Sequence, residues 1–226
     1  MATRQLKDFL PLVLPHAPSC PRVVAEQYLR LSAIEWCERT RAWRHITTVT
    51  VDEQNEAIVA PDYATIHEIE RAEFTPTGGD TPFELCPTQF TALDRLADLS
   101  EAAGSAVPEY ITQVSPNTIA LIPLAEGTVE LSLFLKPRND DEFSQTPGDP
   151  LANTYNVVPE HLLIQSGEPI AEGALGRLLA LRGTEWFDPK MAAYYRARFD
   201  KALDRSFQTQ LRGQHRARPR SKASFI

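Results

Sequence analysis

Hydrophobic and polar positions change period twice along the chain. From Arg22 to Arg44 there is no Pro or Gly, and Val24, Tyr28, Leu31 and Ile34 recur at helical spacing, as do Leu29, Trp36 and Trp43. Two stripes predict a helix over Arg22 to Arg44 that packs on more than one side. Ahead of it, Leu6, Phe9, Leu10, Val13 and Leu14 form an apolar stretch within Thr3 to Leu14, interrupted by Pro11. That pattern predicts one or two helical turns. The breaker-rich run from His16 to Pro21 reads as a link.

After His45 the period shortens. Ile46 to Val51 is β-branched and predicts a strand, and Ala57 to Pro61 predicts a short second one. Thr65 to Phe74 also reads as a strand, although its alternation gives no clean faces. Thr77-Gly78-Gly79-Asp80 predicts a hairpin tip, with Phe83 to Cys86 as the return. Phe90, Leu93 and Leu96 predict a short helix within Thr88 to Leu99. Tyr110 to Val114, Thr118 to Ile122 and Thr128 to Leu135 then predict three strands separated by turns. The middle of the chain is expected to be a small, mainly antiparallel β domain.

Helical spacing returns after a polar loop from Asn139 to Tyr155. Pro159 to Ile164 predicts a turn or two. Pro169 fits a helix start, with Ile170, Ala174, Leu178 and Leu181 on one face and Gly183 at the end. Asp188-Pro189 predicts the cap and first residue of a last helix. Ala192, Tyr195, Phe199 and Ala202 give its stripe, continued by Leu203, Phe207 and Leu211, before it fades at Arg212-Gly213. The expected class is α+β: terminal helices form a bundle with a small antiparallel β domain inserted. The expected divisions are N-terminal helices over 1–45, β domain over 46–138, loop over 139–157, C-terminal helices over 158–211 and a basic tail over 212–226.

Composition alters this picture in three ways. The 226 residues are 42% hydrophobic, enough for a packed core and against general disorder. The net charge of -7 argues against nucleic-acid binding by the whole surface. Against that balance, Arg205 to Ile226 has no Asp or Glu but holds Arg205, Arg212, Arg216, Arg218, Arg220 and Lys222. Such a segment docks on an acidic protein surface or lies near DNA, becoming ordered on binding; alternatively it is a solvated terminus. Phe225 is the segment's main apolar anchor. Cys20, Cys37 and Cys86 form no CxxC pair, so neither a disulfide framework nor a zinc site is indicated. A reducing cytoplasm is expected, with no signal peptide and no membrane span.

Catalytic and cofactor patterns are lacking. No GxSxG, HExxH or Walker sequence occurs, and Gly173 and Gly176 do not follow a strand. Glu68, Glu70 and Glu73 read as a solvated strand face, with His67 alternating to the other side. Asp140-Asp141-Glu142 lacks the spacing of a calcium loop. Cys37 reads as core. Neither an enzyme, a metal nor a cofactor is expected. Trp36 and Trp43, seven apart on the predicted helix, are core or subunit contacts. Tyr194 and Tyr195 are adjacent, so they must diverge, one toward the core and one toward a neighbouring subunit.

The order of segments resembles one known family. Asp8-Phe9-Leu10-Pro11, Val13-Leu14-Pro15, Ala17 to Pro21 and Ala33 to Trp43 look like the N-terminal helices of head-to-tail adaptor (connector) proteins of tailed bacteriophages, of the tail-tubular-protein-A type. Glu172 to Leu181, Trp186 to Pro189 and Ala192 to Phe199 are similar to its later helices, and Pro108-Glu109-Tyr110 with Ile119 to Pro123 to its β part. The resemblance implies uninterrupted helix through Gly167-Glu168-Pro169. It implies a structural virion protein at the neck, assembled in the host cytoplasm. Its partners would be the portal protein, a downstream tail or nozzle protein, and other copies in a ring, commonly of twelve. Packaged DNA would pass through the channel without sequence recognition. The C-terminal segment would reach the portal, placing Arg212, Arg216, Arg218, Arg220, Lys222 and Phe225 at that contact. The remaining alternative is a nucleic-acid-binding regulator acting through the same tail.

Overall fold

The computed structural model describes residues 2–52, 57–89, 107–123, 125–139 and 156–214, with side chains through Ser206. The helix expected within Thr88 to Leu99 and the loop from Asn139 to Tyr155 fall almost wholly outside the described residues. The class is α+β, with four α-helices and antiparallel sheets among these residues.

The chain opens with a strand where helical turns were expected. β1 (Thr3–Gln5) pairs antiparallel with β10 (Val157–Pro159), tying the N-terminus to a segment far along the sequence. An Arg4–Glu160 ion pair of 2.7 Å closes that junction. Only then does the chain coil, through 3-10 turns on either side of α1 (Leu10–Val13). Leu6, Phe9, Leu10 and Val13 are buried there. Pro11 sits in the first turn of α1, where its missing N–H costs nothing.

α2 spans Arg22–Thr40 and buries Ala25, Leu29, Ala33, Trp36 and Cys37. It ends four residues earlier than its apolar pattern suggests. Arg41 takes a left-handed conformation (φ 54°), and its N–H caps the Cys37 carbonyl at 2.9 Å. Trp43 therefore lies beyond the helix and does not share a face with Trp36. It is buried against Tyr63, with ring centroids 6.0 Å apart. Sheet pairing begins at once, since the Leu135 N–H donates to the Trp43 carbonyl at 2.8 Å.

Two four-stranded sheets follow. In the first, β2 (Arg44–Val51) pairs with β9 (Gly127–Pro137), then come β4 (Ala64–Pro76) and β5 (Phe83–Glu84), antiparallel throughout. In the second, the order is β3 (Ala57–Ile58), β8 (Thr118–Ile122), β7 (Tyr110–Gln113) and β6 (Cys86–Pro87). The β6–β7 pair is parallel. β3 is shorter than the expected Ala57 to Pro61. The confused alternation of β4 has a cause: register shifts at Ile66/Glu68 and Ile69/Arg71. Each bulge turns the following side chains to the other face. On β9, Val129, Leu131, Leu133 and Leu135 line the buried face. Phe134, on the opposite face, is covered by the guanidiniums of Arg41 and Arg44 at 5.5 and 5.9 Å from its ring.

α3 runs unbroken over Glu160–Leu178, so Pro169 does not start a helix. The missing hydrogen bond falls on the carbonyl of Gln165, an exposed residue that water can serve. Packing of Leu162, Ile170, Ala174 and Leu178 on both sides of the proline carries the helix across it. Gly183 (φ 82°) lies in the turns that follow, past the real end at Leu178. α4 (Pro189–Gln214) starts where expected, with Asp188 Oδ1 accepting from the Lys190 and Met191 N–H groups, each at 3.1 Å. Its backbone stays helical through Gln214, past the expected fading at Arg212-Gly213. One buried cluster runs through helices and sheets alike.

Candidate docking site

Helices α3 and α4 approach each other where glycines allow it. A Cβ on Gly173 would stand 2.9 Å from the Phe199 ring, and one on Gly176 would stand 3.1 Å from the Arg196 backbone nitrogen. The two glycines thus serve close helix packing. Phe199 is fully buried there and contacts Trp36, with centroids 6.1 Å apart.

Glu35 on α2 joins the three long helices. Arg196 donates to it twice, at 2.9 and 2.6 Å, and Arg177 once, at 2.6 Å. Burial pushes the Glu35 carboxyl up, but the Arg196 and Arg177 hydrogen bonds outweigh this and hold it below the usual carboxylate range. Sequence reasoning missed this residue. Its partners lie 142 and 161 positions away, so no local pattern marks it.

A groove of about 600 Å³ opens between α1, α3 and α4. Tyr195 is nearly buried at its edge and bonds His16 Nδ1 through its hydroxyl at 3.1 Å. Tyr194 diverges, remaining 51% exposed with Arg198 over its ring. Arg198 also pairs with Glu172 at 2.6 Å and Glu168 at 3.2 Å. Burial raises the Glu172 carboxyl despite the Arg198 charge. Leu12 and Met191 add exposed apolar surface to the rim. The groove thus combines an apolar rim with the Tyr195–His16 pair and the Arg198 cluster with Glu168 and Glu172. Among the described residues, no cluster of three or more His, Cys, Asp or Glu could hold a metal ion.

The other predicted site residues separate. Trp36 and Trp43 are both buried, one among helices and the other beside the sheets. Arg212 belongs to the backbone of α4. Arg216, Arg218, Arg220, Lys222 and Phe225 lie outside the described residues. No helix among the described residues is long and apolar enough to cross a membrane.

The family model for the SU10 adaptor protein matches residues 4–222. The chain belongs to the SU10 adaptor protein family. The match runs from Arg4 in β1 through the helices and sheets just described and most of the basic tail, from Arg212 to Lys222. No curated protein sequence matches the chain. Membership makes this a phage structural adaptor and a virion component, with a non-enzymatic role implied by the family. An adaptor of this kind interacts with capsid or portal and with tail components, so surfaces that dock protein are its working parts.

Proposed function

We propose that this adaptor forms a ring joining the portal vertex of a phage capsid to the tail, and that it extends the channel through which DNA leaves. The observation carrying this reading is the family match across 4–222, which takes in the helices, the sheets and the basic tail as far as Lys222. In this reading, twelve copies form the ring. The terminal helices act as its bundle, with the β part inserted between them and a downstream tail or nozzle protein below. The protein is of the tail-tubular-protein-A type and assembles in the host cytoplasm. Arg212, Arg216, Arg218, Arg220 and Lys222 supply cationic groups for an acidic portal surface, and Phe225 supplies an apolar anchor. Trp36 and Trp43, being buried, act in core packing, whereas the exposed Tyr194 meets a neighbouring subunit in this reading.

Electron microscopy of the full chain mixed with portal rings tests the assembly. Additional ring density beneath the portal is expected, and persistent failure to associate at any salt concentration overturns the reading. A chain ending at Gln214 should lose docking while keeping its melting temperature, because the removed sequence holds no large apolar residue before Phe225. A large fall in melting temperature would contradict the assigned role of the tail. The regulator alternative predicts DNA affinity falling steeply with salt; the net charge of -7 and the structural family weigh against it.

A further inference from the structure

Exposed apolar side chains gather on one flank of the helices. The groove between α1, α3 and α4 continues into a second recess of about 340 Å³ beside Trp186 and Phe187, and the two share His16, Met191 and Tyr195. Leu12, Phe187, Met191 and Tyr194 line this continuous surface, each between 39% and 51% exposed. Val23, Ile46 and Ile58, also exposed, stand on three separate elements. Single apolar residues are ordinary on a surface, whereas several around one groove mark a place that another chain segment covers.

The charge around the groove selects the segment. Asp188 caps α4, which leaves Glu168, Glu172 and Glu185 in the lining against one guanidinium, that of Arg198. The lining is therefore apolar and net acidic at once. Arg205 to Ile226 is the longest run of the chain without Asp or Glu. Past the end of α4 at Gln214 it carries Arg216, Arg218, Arg220 and Lys222 and finishes on Phe225-Ile226. That segment brings cations to the acidic rim and an apolar end to the floor.

Reach decides whose segment it is. At about 1.5 Å per helical residue, Met191 lies about 35 Å from Gln214 along α4, and the residues from Gln214 to Phe225 span at most about 40 Å when fully extended. A chain's own Phe225 would reach its groove only as a straight strand laid back along α4, a helix that packs on α2 and α3. The segment of another copy meets no such limit. We propose that in the free protein this groove holds the basic C-terminal segment of a second copy, with Phe225 and Ile226 on the apolar lining beside Tyr194 and the arginines on the Glu168 side. The acidic portal surface then takes the segment over as the adaptor docks. Only that takeover rests on the function proposed above; the contact between copies does not.

Photo-cross-linking of the full chain, with benzoylphenylalanine in place of Phe225, tests the contact. Equal amounts of nitrogen-15-labelled and unlabelled protein are mixed, irradiated and mapped by mass spectrometry. Cross-links between labelled and unlabelled copies are expected at Leu12, Met191 or Tyr194. They should fall at least about fivefold in about 0.5 M salt and in Glu168→Lys, an exposed position whose reversal should leave the melting temperature unchanged. Cross-links confined within single copies overturn the proposal, as do cross-links to another surface, none at all, or an undiminished yield from folded Glu168→Lys protein. Added portal rings should also remove the groove cross-links. Their persistence on protein docked to portal rings would refute the takeover and leave the contact between copies standing.

Discussion

Helices and sheets in this adaptor use charge differently. Among the helices, Glu35 is 18% exposed at its side chain and receives two guanidiniums from two other helices. On the first sheet, Glu70 meets one guanidinium, from Arg44, together with the Ser132 hydroxyl at 2.6 Å. Arg71–Glu73 and Arg41–Glu68 are likewise single pairs on solvated faces. The sheets are held by long ladders and an apolar layer on β9. The helices place small residues and a charged hub where three elements meet. The contrast teaches that a charged group stabilises most where it is largely shielded from solvent and links several elements at once.

The largest expected effect tests packing. Phe199→Ala should cost about 3–5 kcal/mol, because its ring fills the space that Gly173 leaves. Phe134→Ala should cost less than half as much, since flexible arginines covering it can settle into the gap. Denaturant melts of both variants give the ratio, and equal costs would remove this distinction between the regions.

Charge comes next. Glu35→Gln should cost about 2 kcal/mol at neutral pH by leaving Arg177 and Arg196 one neutral amide oxygen in place of a charged carboxylate. Glu70→Gln should cost under about 1 kcal/mol, as exposed pairs do. Burial pushes the Glu70 carboxyl up, but the Arg44 and Ser132 hydrogen bonds prevail and hold it low, as for Glu35. Each acid held low contributes stability above the ordinary glutamate range and loses it as pH falls below that range. The gap between Glu35→Gln and wild type should therefore close on acidification. A gap that persists at low pH would assign its cause to shape, not charge.

Pro169→Ala should stabilise by about 1 kcal/mol, restoring a helix bond at a position already helical. Loss of stability instead would show that the bend matters to α3 packing. Smallest is Glu172→Gln, expected within about 0.5 kcal/mol, since the lost Arg198 pair and relieved burial oppose each other. Its pH sign is reversed: burial raises this carboxyl, so its ionisation weakens the fold as pH rises through and above the ordinary range. Thermal melts of this variant and Glu35→Gln across pH should diverge in opposite directions from wild type.

By itself, the sequence determined whatever depends on neighbours along the chain. Asp188 and Pro189 start α4 because a short side-chain acceptor and a fixed φ do so in any context. Ile46 to Val51 forms a strand because β-branched side chains suit a pleated surface, and Gly78 turns because its φ is positive. The apolar stripe of α4 located Tyr195, Phe199 and Leu203 in the core. Tertiary structure decided the rest. Pairing with β10 made a strand of Thr3–Gln5, and packing on both sides of Pro169 overrode its local preference. Burial of Trp43 beside Tyr63 ended α2 at Thr40. Glu35 gained its role only when folding brought Arg177 and Arg196 to it. Local propensities amount to tenths of a kcal/mol per residue, whereas burying a large side chain is worth about 1.5–3 kcal/mol, so packing prevails wherever the two disagree.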